Sequence, residues 1–337
     1  MRKFAVISLA FLLVITSFFG CAQSETESPD IPEPEELGVE LNIVSTIFPQ
    51  YDWVRQILGS RADDMKLTLL LNNRIDLHNY QPTVDDVVKI VNCDVFIYVG
   101  GESDEWVDGV LKQATNPDMV TINLLDILGD GAKIDEVLEG ADSGHDHHHD
   151  DENDADQEHG YDEHIWLSLK NAMTLCEAIA EALSNLDADY SEYYSDNLDA
   201  YTAKLLALDS EYKTVLSAAS VNTLLFADRF PFRYLLDDYG IHYYAAFSGC
   251  SAETEASFST IVFLAKKVDE LKLNSVMVTE SADQSIALTV IGNTKEKNQK
   301  ILVLDAMQSV TQSDMQNGTA YISIMRDNLN TLREALK

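Results

Sequence analysis

Basic residues are scarce in this chain of 337. Its 23 Lys and Arg stand against 57 Asp and Glu, a formal net charge of −34. Phosphate backbones are gripped by clustered Lys and Arg, so this balance argues against a nucleic-acid-binding protein. It also argues against electrostatic docking on an anionic membrane, and it suits a protein whose ligand is a cation. Cysteine is scarce too. There are four, and none forms a CxxC pair. With Cys21 set aside, Cys93, Cys176 and Cys250 are an odd number, so at least one has no partner within the chain. Cys93 precedes an apolar strand-like run and Cys176 lies in a helical pattern, both settings for a small buried hydrophobe. The HExxH pattern of a metalloprotease is missing, which speaks against a zinc hydrolase. Apolar residues are not lacking: they make up 46% of the chain. The length predicts two lobes at roughly 150 residues per domain.

The N-terminus has the pattern of an export signal. Met1-Arg2-Lys3 is positive, and Phe4 to Gly20 is an almost uncharged apolar run ending before Cys21. Residues 1–20 are expected to be a signal peptide and Cys21 a lipidation site. Residues 21–40, rich in Ser, Pro and Glu, read as a flexible tether. An uncleaved membrane anchor is the alternative, because the run is about the shortest that spans a bilayer.

From residue 41 short apolar runs alternate with helical patterns, which predicts an α/β protein with mainly parallel sheet. Strands are expected at Leu41–Ile47, Lys66–Leu71, Asp94–Val99, Val120–Leu124, Thr223–Ala227, His242–Phe247, Ser275–Thr279 and Ile301–Leu304. Helices are expected at about 50–59, 83–92, 103–115, 168–185, 230–239, 256–272, 283–292 and 318–335. Over 189–219, Tyr194, Leu198, Tyr201, Leu205, Leu208, Tyr212 and Leu216 fall on one helical face. A helix of that length, about 45 Å, crosses a whole lobe. These patterns divide the chain into an N-terminal lobe at 41–188, a linking helix at 189–219 and a C-terminal lobe at 220–337. No strict sequence repeat relates the halves. Residues 130–163 break the rhythm. Ala141 to Glu163 holds ten acidic residues, no Lys or Arg, and five of the eight histidines, so the segment is expected to be disordered.

His78 lies in Asp76-Leu77-His78-Asn79-Tyr80-Gln81-Pro82-Thr83, between a strand and a helix start, where open α/β sheets hold ligands. His164 lies in Asp162-Glu163-His164-Ile165-Trp166-Leu167, just after the acidic stretch. His145, His147, His148, His149 and His159 form a tract of the kind that gathers metal. His242 falls in a strand pattern and reads as structural.

The two single-histidine segments resemble the metal-ligand segments of the solute-binding receptors of zinc and manganese ABC importers. Val44-Ser45-Thr46-Ile47-Phe48-Pro49 resembles their opening strand. Asp94 to Gly101 with Trp106, Tyr239-Gly240, Glu253 to Ser257, and Gly318 to Leu336 also match, so the likeness runs from about residue 41 to the end. It implies two lobes of parallel β-sheet flanked by helices, joined by one long rigid backbone helix, the metal-receptor type of solute-binding fold. It carries His78 and His164 over as ligands. The third ligand of such receptors precedes a Phe-x-Tyr segment, here Phe232-Arg233-Tyr234, and that count lands on Arg229. Arg cannot bind a cation, so the neighbouring Asp228 is assigned, with Glu280 or water as alternatives; the competing role for Asp228 is an ion pair with Arg229 or Arg233. Asp305, after a late strand, is the fourth ligand, and its competing role is to cap the next turn. Two imidazoles and two carboxylates neutralise a divalent cation and suit Zn²⁺ or Mn²⁺. Zinc receptors of this kind often carry a His-rich loop between their first two ligands, which tilts the choice to zinc. The resemblance further implies a monomeric, extracytoplasmic lipoprotein, anchored to the membrane by lipid, working with a permease and its ATPase. The alternatives are a manganese receptor, a zinc-dependent hydrolase and a surface adhesin.

Overall fold

Runs such as Val95-Phe96-Ile97-Tyr98 are almost wholly buried, the mark of strands covered on both faces. They assemble, in a computed structural model, into two four-stranded parallel sheets. The structure describes residues 39–136, 138–141, 160–250 and 255–337. Cys21 and the histidines at 145, 147, 148, 149 and 159 lie outside the described residues.

The first sheet comprises β1 (Asn42–Ser45), β2 (Lys66–Leu69), β3 (Val95–Tyr98) and β4 (Val120–Asn123), in the order β2-β1-β3-β4. The second comprises β5 (Thr223–Phe230), β6 (His242–Ser248), β7 (Ser275–Thr279) and β8 (Lys300–Leu304), in the order β6-β5-β7-β8. The two orders are the same topology repeated. The repetition is visible only in three dimensions, because a sheet needs apolar strands and not any particular residues. In such sheets ligands gather beyond the carboxyl ends of the strands, beside the point where strand order reverses.

Eleven α-helices accompany the strands among the described residues: α1 (Phe48–Leu58), α2 (Val84–Val91), α3 (Val107–Leu111), α4 (Leu124–Leu128), α5 (Leu169–Leu186), α6 (Ser191–Ser217), α7 (Arg233–Asp238), α8 (Phe258–Leu271), α9 (Ser285–Gly292), α10 (Gln312–Gln316) and α11 (Tyr321–Ala335). Caps explain several starts. Thr83 accepts the Asp86 N–H while Asp86 reaches back to the Thr83 N–H, a reciprocal box that opens α2. Ser168 opens α5 by accepting the Asn171 N–H. Helices α4 and α10 had no counterpart in the sequence pattern. Each is five residues long, too short for a periodicity to emerge, and α4 begins where β4 stops.

The long helix α6 has 27 residues, about 40 Å. It buries Tyr194, Tyr201, Leu205, Leu208, Tyr212 and Leu216 against α1, α5 and α11. Asn197 donates to the Ile57 carbonyl at one end, and the Tyr212 hydroxyl to the Met325 carbonyl at the other. One hydrophobic core is continuous from Val44 and Phe96 through α6 to Phe226 and Leu304. A smaller cluster around Leu225, Val276 and Leu264 packs within the second sheet's own layer. Among the described residues no helix is long and apolar enough to cross a membrane.

The acidic stretch starts and ends in structure. Ile134 and Tyr161 form an antiparallel bridge, Asp135 N donates to Gly160 O, and Asp162 N donates to Lys133 O. The flanks of residues 130–163 are therefore ordered, contrary to the compositional expectation. Backbone pairing holds them, and composition does not report backbone pairing.

Candidate metal centre

His78 stands on the single 3-10 turn Leu77–Asn79 that follows β2. Asp76 caps that turn by accepting the His78 N–H at 3.0 Å. His164 is fully buried. One oxygen of Asp162 accepts both its backbone N–H and its Nδ1, each at 2.9 Å. A carboxylate only accepts, so this contact assigns the His164 proton to Nδ1 and leaves Nε2 with a lone pair. His78 Nδ1 is 2.8 Å from Ser103 Oγ and 3.4 Å from Glu163 Oε2. Glu163 is held in place by the Ser103 N–H at 2.8 Å. Gly101, at φ +80°, makes room: a Cβ there would meet Glu163 Oε1 at 2.5 Å. Glu163 Oε2 is buried and without a hydrogen bond among the described residues, and it can accept one from a His78 Nδ1–H.

Both imidazoles are thus anchored through Nδ1, and their Nε2 atoms face each other at 3.1 Å. With the protons on Nδ1, two lone pairs meet. That arrangement is relieved by a shared cation. Zinc–nitrogen bonds of 2.0–2.1 Å in tetrahedral geometry place two nitrogen donors about 3.3 Å apart, close to the spacing found here. The donors fit a divalent metal ion.

Cys250 follows the end of β6, and its Sγ lies within 4.8 Å of the ring nitrogens of both histidines. Among the described residues it is the third member of the only such group. Sequence reasoning gives Cys250 no role and leaves its pairing open. The available signal was its place just beyond a strand's carboxyl end. Burial, followed by the nearby Asp162, Glu163 and Asp135 carboxylates, pushes this thiol's pKa up.

Asp228 and Asp305 are not in that group. Asp228 Oδ2 accepts the Thr279 N–H at 2.9 Å and the Thr279 hydroxyl at 2.5 Å. Its competing sequence assignment, an ion pair with Arg229 or Arg233, is not what engages it. Arg229 reaches instead to Asp76 at 2.5 Å, and holds that carboxyl below its usual range despite burial, which alone raises it. Asp305 Oδ1 accepts the Met307 N–H at 2.7 Å, so it caps the turn after β8. Glu280, at the end of β7, accepts the N–H groups of Ala306 and Gln308. Burial pushes both Glu280 and Asp305 up, and the Asp305 charge adds to the shift at Glu280. His242 opens β6, is exposed, and is not in that group.

Two parallel-sheet lobes on a helical spine, with one imidazole after β2 paired with another just before α5, define a metal-receptor type of α/β protein. Residues 43–335 match the family described as "ZnuA: Zinc-uptake complex component A periplasmic", and the chain belongs to that family. It is 32% identical over 297 residues to the zinc-binding lipoprotein AdcA of Streptococcus pneumoniae serotype 4, covering 88% of this chain and 56% of that protein. It is 27% identical over 331 residues to the high-affinity zinc uptake system protein ZnuA of Bacillus subtilis, covering 98% and 96%. The crystal structure of the Zn(II)-bound ZnuA-like domain of Streptococcus pneumoniae AdcA superposes with a TM-score of 0.67 at 29% identity, covering 88% of this chain and 99% of that one. The chain thus spans about half the length of the AdcA proteins it matches and nearly all of the Bacillus protein.

Proposed function

We propose that this protein is the extracytoplasmic receptor of a metal ABC importer, which captures Zn²⁺ between its lobes and delivers it to the permease. The observation that carries this reading is the facing Nε2 pair of His78 and His164, each ring fixed through its other nitrogen. Transport also needs a site that releases its cargo, and a pair of imidazoles is a releasable set: they ligate only when neutral. The expected carboxylates Asp228 and Asp305 stand outside the histidine group, each with one oxygen held by Thr279 or the Met307 N–H, and join the ion only by moving toward it. Relatives named as zinc-binding and zinc-uptake proteins support zinc over manganese. In the same reading Cys21 carries the lipid, the protein is a monomer, and the histidines at 145, 147, 148, 149 and 159 gather metal weakly. No catalytic step is assigned.

Calorimetric titration with zinc tests the proposal. The expected outcome is one site much tighter than micromolar, that is, beyond about −8 kcal/mol, lost in His78→Ala/His164→Ala. Full-strength binding by that double variant would refute the receptor role. Titration with Mn²⁺ in parallel decides between the two metals.

A further inference from the structure

We propose that Cys250 is the third protein donor to the ion, giving a site of two imidazole nitrogens and one thiolate. The inference rests on the receptor reading above and deepens it. Three independent features lead to it. The Sγ atom lies within 4.8 Å of ring nitrogens on both histidines, and no Asp, Glu, His or further Cys among the described residues joins them. The position where a third donor was expected holds Arg229, whose guanidinium is engaged by Asp76. The neighbouring Asp228 turns its Oδ2 to Thr279 and is not in the histidine group. The chain leading to Cys250 is also shaped for close approach. A Cβ at Gly249 would stand 2.7 Å from the Phe230 carbonyl and 3.1 Å from His164 Cε1, so only glycine lets this segment lie against the ligand ring.

Zinc–sulfur bonds are about 2.3 Å, so the thiol needs only a small approach to share the ion with the two Nε2 atoms. Coordination replaces the Sγ–H bond with an Sγ–metal bond. The proton leaves to bulk water and no electron is transferred. A thiolate is a soft ligand that selects zinc, whereas Mn²⁺ prefers oxygen donors. Cys250 therefore sets the metal preference of the site.

Co²⁺ is the probe of choice, because a sulfur ligand gives it a sulfur-to-cobalt charge-transfer band. The full chain is loaded with one equivalent of Co²⁺, then displaced by zinc under chelator competition. The expected result is a charge-transfer band in the wild type and none in Cys250→Ser. Zinc affinity in Cys250→Ser falls on the order of 100-fold or more, since even the outer partners of metal ligands are worth about 10- to 100-fold. The ratio of zinc to manganese affinity falls with it. Zinc also protects Cys250 from alkylation in the wild type, read by peptide mass spectrometry. No band in the wild type, together with unchanged zinc affinity in Cys250→Ser, overturns the proposal. Cys250→Asp guards against a folding artefact: it regains binding but shifts preference toward Mn²⁺, and a failure to shift counts against a donor role. The His78→Ala/His164→Ala variant separates the two levels. If it loses zinc while Cys250→Ser does not, only the cysteine assignment fails; if it keeps zinc, the receptor reading fails.

Discussion

At the scale of residues, the site depends on which ring nitrogen carries the proton. Asp162 accepts a hydrogen bond from the His164 Nδ1–H and so leaves Nε2 free for a metal. Asp162→Ala removes that acceptor, lets the proton move to Nε2, and is expected to weaken zinc binding about 10- to 100-fold in a chelator-competition assay. Asp162→Asn recovers much of the loss, because an amide oxygen still accepts the Nδ1 proton. Equal affinities for the Ala variant and the wild type would remove Asp162 from the account. His78 and His164 were legible in the sequence because each sits in a short segment with its own local signal. Cys250 was not. Its proximity to them is made by the return of the chain after β6, more than 80 residues beyond His164. Asp228 and Asp305 follow from a family resemblance, the one as neighbour of the position counted from Phe232-Arg233-Tyr234, the other as the carboxylate after a late strand. Their present partners, Thr279 and the Met307 N–H, come from a neighbouring strand and a local turn that counting does not see.

At the scale of elements, α1 and α11 meet through the edge-on rings of Trp53 and Tyr321 and through a buried carboxylate. Asp52 of α1 accepts the Tyr321 N–H, at the first residue of α11, which has no side-chain cap of its own. Burial pushes the Asp52 carboxyl from 3.8 up to about 6, against the opposing pull of that hydrogen bond. The folded state therefore binds a proton that the unfolded chain has already released. The contribution of Asp52 to stability falls as pH rises from about 4 to about 6, and its full cost is in place above that. Asp52→Asn is expected to abolish this slope and to raise stability at neutral pH by up to about 3 kcal/mol, two pKa units at about 1.4 kcal/mol each. Denaturant titrations at several pH values measure it; a variant that keeps the wild-type slope contradicts the assignment. The eight strands and the longer helices were legible as runs and periodicities. The five-residue helices α4 and α10 were not, because they are too short for a period to show, and neither was the Ile134–Tyr161 bridge, which joins residues far apart in the chain.

At the scale of the whole molecule, the lobes are pinned together under the site. Trp166, two residues past His164, donates from its indole to the Ala306 carbonyl at 3.0 Å. The Tyr321 hydroxyl donates to the Trp166 carbonyl at 2.7 Å, fully buried. Together with the continuous core through α6, these bonds make the lobes one folding unit and leave little freedom for a wide hinge motion. Unfolding is expected to be a single cooperative transition by both tyrosine and tryptophan signals. Tyr321→Phe should lower its free energy by about 1–3 kcal/mol, the cost of stranding a buried carbonyl. Two separated transitions would show that the lobes are independent.

The sequence alone determined the alternation of strands and helices, the long spine, the acidic character and the two histidine segments. All of these are local: a period, a composition or a short motif carries them. Tertiary structure alone decided that both sheets share one topology, that Arg229 pairs with Asp76, and that a thiol stands beside the imidazoles. These are relations between residues far apart in the chain, set by how the layers pack around α6, and no short stretch of sequence encodes a distance across a fold.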